Sequence, residues 1–135
     1  MIIKYNTARL AKEKGFDVPT LGYYIKSYTG WNLLFEDKKL GKYNLNECMG
    51  ISAPEQCILQ EWLFNQGFFI DIKYISQNEV QKGFYYSIYY TIIFDNEHIL
   101  IYWLNKFNGK DLFSGFDTYE DCLEIALQWA LFKIS

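Results

Sequence analysis

The chain has 135 residues, 50% of them hydrophobic and 20% aromatic, with 13 basic and 16 acidic side chains. A chain of this length buries about two-thirds of its unfolded surface, which favours one domain over residues 1–135 whose core needs no metal or disulfide. The composition excludes a disordered chain, no apolar run reaches the roughly 18 residues that span a bilayer, and the net charge of −3 argues against a nucleic-acid partner.

The first predicted element is a short helix over residues 7–14. Thr7 or Asn6 can cap its first turn, and Gly15 stands where a residue in the left-handed conformation commonly ends a helix. Residues 21–36 then contain two β-prone runs separated by a Thr-Gly pair, which is compatible with a hairpin.

A second helix is predicted over residues 53–66. Ser52, Pro54 and Glu55 have the order of a capping box, in which the serine hydroxyl accepts from a free amide and the glutamate reaches back to the cap. An apolar stripe follows at helical spacing and consists of Ile58, Leu59, Trp62 and Leu63.

Three strands in an antiparallel meander are predicted next, over residues 68–76, 84–95 and 98–105. In the first two strands the even-numbered positions are apolar, so these positions form one face of the sheet. Pairing Ile72 with Ile88 keeps both apolar faces on the same side, whereas a slip of one residue would bury Asp71 or Lys73.

The third strand is apolar on both faces, so its orientation depends on the turn that precedes it. If Asn96 and Glu97 form a two-residue loop, Trp103 joins the even-numbered core face. Leu100 and Tyr102 then lie on the opposite face, beside the odd-numbered residues of the first two strands.

A third helix is predicted over residues 118–134, with Thr118 as its cap and Asp121 in the position of the capping-box acid. Its stripe at helical spacing comprises Tyr119, Cys122, Leu123, Ala126, Trp129, Ala130 and Lys133. Two amphipathic helices on the even-numbered face of a three-stranded meander predict an α+β domain.

The odd-numbered face carries the candidate interaction surface, which consists of Lys73, Tyr85, Tyr89, Leu100 and Tyr102. This face is too polar for a deep core and too apolar for full exposure to water. Residues 21–36, a second copy of the chain in a homodimer, or another partner or ligand could cover it. Nucleic-acid bases could stack on the tyrosines, but Lys73 is the one basic residue predicted there, and phosphates normally need several.

Catalytic and cofactor motifs are not recognisable in the chain, and no cofactor is predicted. The acids of the predicted helices, Glu124 among them, are interpreted as charged outer faces. His98 lies beside a predicted turn, with Asp95 and Glu97 as neighbours. The alternative hypothesis is therefore a small enzyme, or a nucleotide or ligand binder, with a cleft near His98.

Three cysteines, Cys48, Cys57 and Cys122, show neither a CxxC pair nor a nearby histidine in sequence. This spacing favours neither a metal site nor a disulfide framework. Cys57 and Cys122 fall in predicted helices and are interpreted as small buried hydrophobic residues. Because the start of the chain does not resemble a signal peptide, we expect a reduced, cytoplasmic protein with no membrane partner.

The aromatic content has two explanations. Phe, Tyr, Ile, Lys and Asn, which AT-rich codons encode, make up 59 residues, so the base composition of the source genome can account for much of it. Otherwise, aromatic residues are kept for a surface that binds a partner.

Three segments carry a resemblance to other proteins: residues 10–19 (LAKEKGFDVP), residues 52–63 (SAPEQ, then LQEWL) and residues 119–127 (YEDCLE, then AL). They resemble a group of small uncharacterised proteins of Bacteroidetes and their phages or prophages. The resemblance implies a cytoplasmic accessory protein encoded by a prophage or another mobile element, and it carries over no activity. We therefore interpret the chain as a small non-enzymatic accessory or regulatory protein that acts by protein–protein binding, either to another protein or to itself.

Overall fold

The computed structural model describes residues 1–35, 50–79, 81–93, 99–111 and 114–134. The elements of this described part are, in chain order, α1 (Tyr5–Glu13), β1 (Gly22–Ser27), β2 (Gly30–Phe35), β3 (Ile51–Ser52), α2 (Gln56–Asn65), β4 (Phe68–Ser76), β5 (Lys82–Ile93), β6 (Ile99–Asn108) and α3 (Tyr119–Lys133). The strands form two antiparallel sheets, in the orders β2-β1-β3 and β4-β5-β6. The predicted α+β class is confirmed.

The larger sheet is the predicted antiparallel meander. Ile70 of β4 lies opposite Ile88 of β5. The predicted pairing of Ile72 with Ile88 is therefore wrong by two residues. A shift of two leaves every side chain on the predicted face of the sheet. The difference arises because β5 begins at Lys82, two residues before the predicted start at 84, and pairs there with Ser76, the predicted end of β4.

The register between β5 and β6 differs from the prediction by one residue. Tyr102 pairs with Tyr90, and Leu100 pairs with Ile92, so both predicted surface residues of β6 stand opposite even-numbered positions of β5. The last pair before the turn is Ile93 with Ile99, so five residues lie between the partners. A two-residue loop requires an even number of residues between every pair of partners, so the predicted register cannot form. The predicted loop itself, residues 96–97, lies outside the described residues.

The predicted hairpin forms as β1 and β2, and β1 also pairs with the short strand β3. The ring of Tyr5 in α1 stacks on Trp31, with ring centroids 5.0 Å apart. Tyr24 meets the same Tyr5 ring edge-on at 5.7 Å. The hairpin therefore packs Tyr24 and Trp31 on α1, and this contact differs from the predicted option in which residues 21–36 cover the odd-numbered sheet face.

The core lies between the even-numbered face of the larger sheet and the helices. Among the residues of β4 and β5 whose burial the structure describes, the buried hydrophobic ones have even numbers and are Phe68, Ile70, Tyr86 and Ile88. α2 and α3 pack on them through side chains that include Leu59, Leu63, Leu127 and Leu131. Both helices thus lie on the predicted face. Tyr74, also predicted to face the core, is 54% exposed near the end of β4.

α2 begins at Gln56 and lacks the predicted capping box. Ser52 lies in β3, opposite Tyr23, and is therefore not at the start of the helix. The amide of Gln56 instead donates to the carbonyl oxygen of Met1 at 2.7 Å, so the N-terminal segment supplies the acceptor that the serine was expected to provide. Within the predicted stripe, Ile58 is exposed while the other three residues are buried.

α1 begins at Tyr5, earlier than predicted, and Thr7 is buried inside the helix and does not cap it. The residue before the helix makes no side-chain capping hydrogen bond. The other end agrees with the prediction, because Gly15 has a φ of +90° and the amide of Phe16 donates to the carbonyl oxygen of Ala11 at 3.0 Å.

α3 begins as predicted, since the Thr118 hydroxyl accepts from the amide of Asp121 at 3.1 Å. The predicted stripe is only partly buried. Tyr119 and Trp129 are exposed, because α3 turns the adjacent side of the helix, with Leu127, towards the core.

Candidate functional site

The odd-numbered face of β4 and β5 brings together three of the five predicted surface residues. Lys73 and Tyr85 are direct cross-strand partners, and Tyr89 stands opposite Phe69. Leu100 and Tyr102 do not join them, because their register aligns them with the even-numbered positions of β5. The same register aligns Ile99, Ile101 and Trp103 of β6 with odd-numbered positions of β5, so the predicted place of Trp103 on the core face is wrong and all three strands contribute to the odd-numbered face.

The Tyr85 end of this face is covered by the chain itself. A Cβ atom built on Gly109 would lie 2.7 Å from the Tyr85 ring, and one built on Gly115 would lie 2.8 Å from it. The amide of Gly115 donates to the carbonyl oxygen of Lys82 at 3.1 Å, and Phe116 bridges to Phe84. The segment between β6 and α3 thus folds back over Tyr85, and only glycine permits so close an approach.

The other end of the face carries three aromatic rings in successive contact, which we term the aromatic row: Phe64, Phe69 and Tyr89. Phe64 of α2 meets Phe69 edge-on at 6.0 Å, and Phe69 lies 5.7 Å from Tyr89. Phe64 and Phe69 are 57% and 44% exposed. Sequence reasoning did not single out either phenylalanine, although the odd number of Phe69 already placed it on this face.

A groove of about 270 Å³ runs beside the aromatic row, between α2 and β4. It is lined by Cys57, Gln60, Glu61, Phe64, Phe68, Phe69 and Ile70. The Gln60 side-chain amide donates to the carbonyl oxygen of Ile70 across the groove at 3.4 Å. Cys57 is exposed here, so its predicted role as a buried hydrophobic residue is wrong: it occupies the outer side of α2.

The charges that β4 and β5 place on the odd-numbered face are few and balanced, and the groove beside the row adds the acid Glu61. Lys73 Nζ lies 3.6 Å from a carboxylate oxygen of Asp71, two residues before it on the same strand and face. Lys73 is the cation that β4 and β5 contribute to the odd-numbered face. Its positive charge is offset by the adjacent acid, so the field over this face is weak.

Glu124 forms a second notable cluster, and it contradicts the interpretation of this residue as part of a charged outer face. Its side chain is 2% exposed. The carboxylate accepts from the Thr7 hydroxyl, from the Lys4 backbone amide at 3.0 Å and from the Gln56 side chain at 3.1 Å. The Gln128 side chain donates to the Thr7 hydroxyl at 2.9 Å and extends the network. All three helices therefore meet at one buried carboxylate.

This cluster is a buried link between the three helices. The donors around Glu124 are neutral amides and a hydroxyl, which satisfy both carboxylate oxygens. Burial, and secondarily the negative charge of Glu124, raises the pKa of the nearby Tyr24 hydroxyl. One sequence signal could have indicated the burial of Glu124: it lies on the stripe of α3 that continues through Leu127 and Leu131.

The alternative site of the sequence analysis, a cleft at His98, lies outside the described residues, as does Cys48. Within the described part, histidine, cysteine, aspartate and glutamate side chains form no group of three or more that could hold a metal ion.

Comparison of the chain with protein-family models, with curated proteins and with solved structures gives no match. None of the helices in the described part has the length and apolar character needed to cross a membrane.

Proposed function

We propose that the protein acts by binding another protein through the aromatic row and the adjoining groove. The observation that carries this proposal is the exposure of Phe64 and Phe69 beside a groove lined largely by apolar side chains. Aromatic side chains are enriched at the centres of protein interfaces, where burial of a ring removes a large apolar area from water. An inserted apolar or aromatic side chain of a partner would fill the groove.

The weak charge of this surface supports a protein as the partner. A phosphate backbone needs several cations for appreciable affinity, whereas Lys73 stands beside Asp71. Tyr85 gives no open stacking platform either, because it lies against the backbone of Gly109 and Gly115.

The cellular setting in this proposal is a cytoplasmic accessory or regulatory protein of a prophage or another mobile element. Its support is the sequence resemblance of the three segments and the state of the described cysteines, since Cys57 and Cys122 are both free thiols. Binding without chemistry fits the lack of any recognisable catalytic motif in the chain.

A site-specific photo-crosslinking experiment in cells of the native source tests the proposed surface. A benzophenone amino acid replaces Phe69 in one variant and Trp129, on the outer side of α3, in the other. The two side chains are matched, with exposed fractions of 44% and 45%. We expect a covalent adduct of defined mass from position 69 that is lost when Tyr89→Ser is added, and none from position 129. Equal adducts from both positions, or none from position 69 in a folded variant, would contradict the proposal.

A further inference from the structure

β4 is an edge strand, and the backbone amides and carbonyls of its even-numbered residues lie along its unpaired edge. Among the described strands β4 pairs with β5 alone. The carbonyl oxygen of Gly67, just before β4, accepts from Thr91 of β5 at 2.8 Å, whereas the carbonyl oxygen of Ile70 points away from β5 and meets Gln60. Since successive backbone groups alternate along a strand, the amides and carbonyls of residues 68, 70, 72 and 74 face outward.

We propose that this edge pairs with the β4 strand of a second copy of the chain, antiparallel about a two-fold axis at Ile72. This register pairs all nine residues of β4, because Ile72 is the central residue of Phe68–Ser76. It places Ile72 opposite its own copy with the outward amides and carbonyls of both residues facing each other, which is the geometry of a hydrogen-bonded antiparallel pair. The two larger sheets then become one continuous six-stranded sheet.

The charges of β4 are complementary to themselves in this register. A two-fold axis at Ile72 sets Asp71 of each copy opposite Lys73 of the other, twice by symmetry. Both side chains lie on the odd-numbered face, and within one chain they are already 3.6 Å apart. Residues directly opposite in an antiparallel pair have their Cβ atoms about 4.5–5.5 Å apart, so opposite charges attract there and like charges destabilise the pair. A shift of the axis by one residue sets Asp71 opposite its own copy or Lys73 opposite its own copy.

The side-chain packing on the helix side is complementary in the same way. The register sets Tyr74 of one copy opposite Ile70 of the other, on the even-numbered face. Tyr74 is 54% exposed, and Ile70 lines the groove between α2 and β4. The exposed ring therefore lies beside a groove that can receive it, and the backbone amide of Tyr74 replaces the Gln60 side chain, whose hydrogen bond to the Ile70 carbonyl is long at 3.4 Å.

This self-association goes beyond the proposed binding function and is tested separately from it, although Tyr74 of the second copy would lie beside the same groove that adjoins the aromatic row. The two-fold axis is perpendicular to the sheet, so the two aromatic rows lie on the same side of the dimer and would present two binding surfaces. If the protein is a monomer but still crosslinks to another protein through position 69, only the β4 pairing is refuted. If it is a dimer that crosslinks only to its own second copy, only the proposed binding of another protein is refuted.

A charge-reversal series tests the pairing by sedimentation velocity across a wide range of concentrations. Asp71→Lys sets lysines opposite each other, and Lys73→Glu sets acids opposite each other, so each single variant should raise the dimer dissociation constant about tenfold or more. The double variant Asp71→Lys/Lys73→Glu restores opposite charges and should dimerise like the wild type. An equimolar mixture of the two single variants should form a heterodimer, because each strand then meets its complement.

Circular dichroism melting checks that each variant remains folded. We expect this result because the side chains of Asp71 and Lys73 lie on the sheet face opposite the core. A wild-type chain that stays monomeric at every concentration overturns the proposal. So does a single variant that dimerises as tightly as the wild type, a double variant that stays monomeric, or a mixture that forms no heterodimer.

Discussion

The carboxylate of Glu124 in α3 accepts a hydrogen bond from the hydroxyl of Thr7 in α1, although 117 positions separate the two residues. The same carboxylate accepts from the backbone amide of Lys4, just before α1, at 3.0 Å. The free amides at a helix N-terminus carry partial positive charge, so a carboxylate placed there is stabilised. Glu124 therefore supplies the cap that the sequence around α1 does not provide, and it joins the first helix to the last.

Replacement of this buried acid should destabilise the fold strongly. Glu124→Ala leaves the Lys4 amide and the Gln56 side chain without their carboxylate, and a buried donor that loses its acceptor costs about 1–3 kcal/mol, so we expect a total loss of about 3 kcal/mol. Urea denaturation followed by circular dichroism measures the change. Glu120→Ala, an exposed acid on the same helix, is the control and should change the free energy of unfolding by less than about 1 kcal/mol. Equal losses from both variants would refute the role of Glu124.

Thr7 and Glu124 should be energetically coupled. Thr7→Val keeps the volume of the side chain but removes the hydroxyl that bonds to Glu124 and to Gln128, so we expect it to cost about 1–2 kcal/mol. In the Glu124→Ala background, Thr7→Val should lower the free energy of unfolding by less than it does in the wild type, because the shared hydrogen bond can be lost only once. A double-mutant cycle from denaturation curves measures this coupling. Strictly additive losses would show that the hydrogen bond contributes nothing.

Trp62 should be the anchor of α2. Its ring is 9% exposed, meets Phe16 edge-on at 5.5 Å, and its indole N–H donates to Asp17 at 3.3 Å. Trp62→Ala should therefore destabilise the protein by about 3–5 kcal/mol, the usual cost of removing a large buried aromatic side chain. Trp129→Ala, which removes a tryptophan that is 45% exposed, should cost much less. A melting temperature of Trp62→Ala equal to that of the wild type would show that α2 is held in another way.

Stability should fall at alkaline pH because of Cys122. Burial raises the pKa of its thiol from 9.0 to about 12, so the folded chain keeps a proton that the unfolded chain loses above pH 9. The contribution of the protonated Cys122 thiol to the free energy of unfolding is fully present below pH 9. It is lost as the pH rises towards 12, by up to about 1.4 kcal/mol for each pH unit. Tyr24 adds to this loss, since burial and the charge of Glu124 also raise its pKa.

Cys122→Ala should make the alkaline loss of stability shallower than in the wild type. Denaturation curves at a series of pH values test this, and parallel slopes for the two proteins would refute it. In the native state at neutral pH, iodoacetamide should modify Cys57 and leave Cys122 unmodified, because Cys57 is exposed and Cys122 is buried. Peptide mass mapping measures both sites separately.

Much of the fold could be predicted because its signals are local. Alternation of apolar residues along β4 and β5 depends only on the period of a strand, so it correctly assigned Ile70 and Ile88 to the core face. The capping of α3 by Thr118 and the left-handed Gly15 are likewise decided by residues within one turn. Ser52 misled the prediction because its capping motif competes with strand pairing to Tyr23, a contact that only the fold provides.

The candidate surface could be predicted only in part for the same reason. Lys73, Tyr85 and Tyr89 were placed on one face by strand alternation. Leu100 and Tyr102 were misplaced because β6 is apolar at both odd and even positions, so its register depends on the number of residues in the preceding turn.

The aromatic residues, a fifth of the chain, show which features local sequence patterns predict and which they do not. The sequence by itself determined that its aromatic residues alternate along strands, and thereby that Tyr86 belongs to the core. Only the tertiary structure decided that Phe64 of α2 meets Phe69 of β4 at an open surface, and that α1 buries Glu124 of α3. Periodicity describes one element at a time, whereas exposure and burial depend on which other elements pack against it.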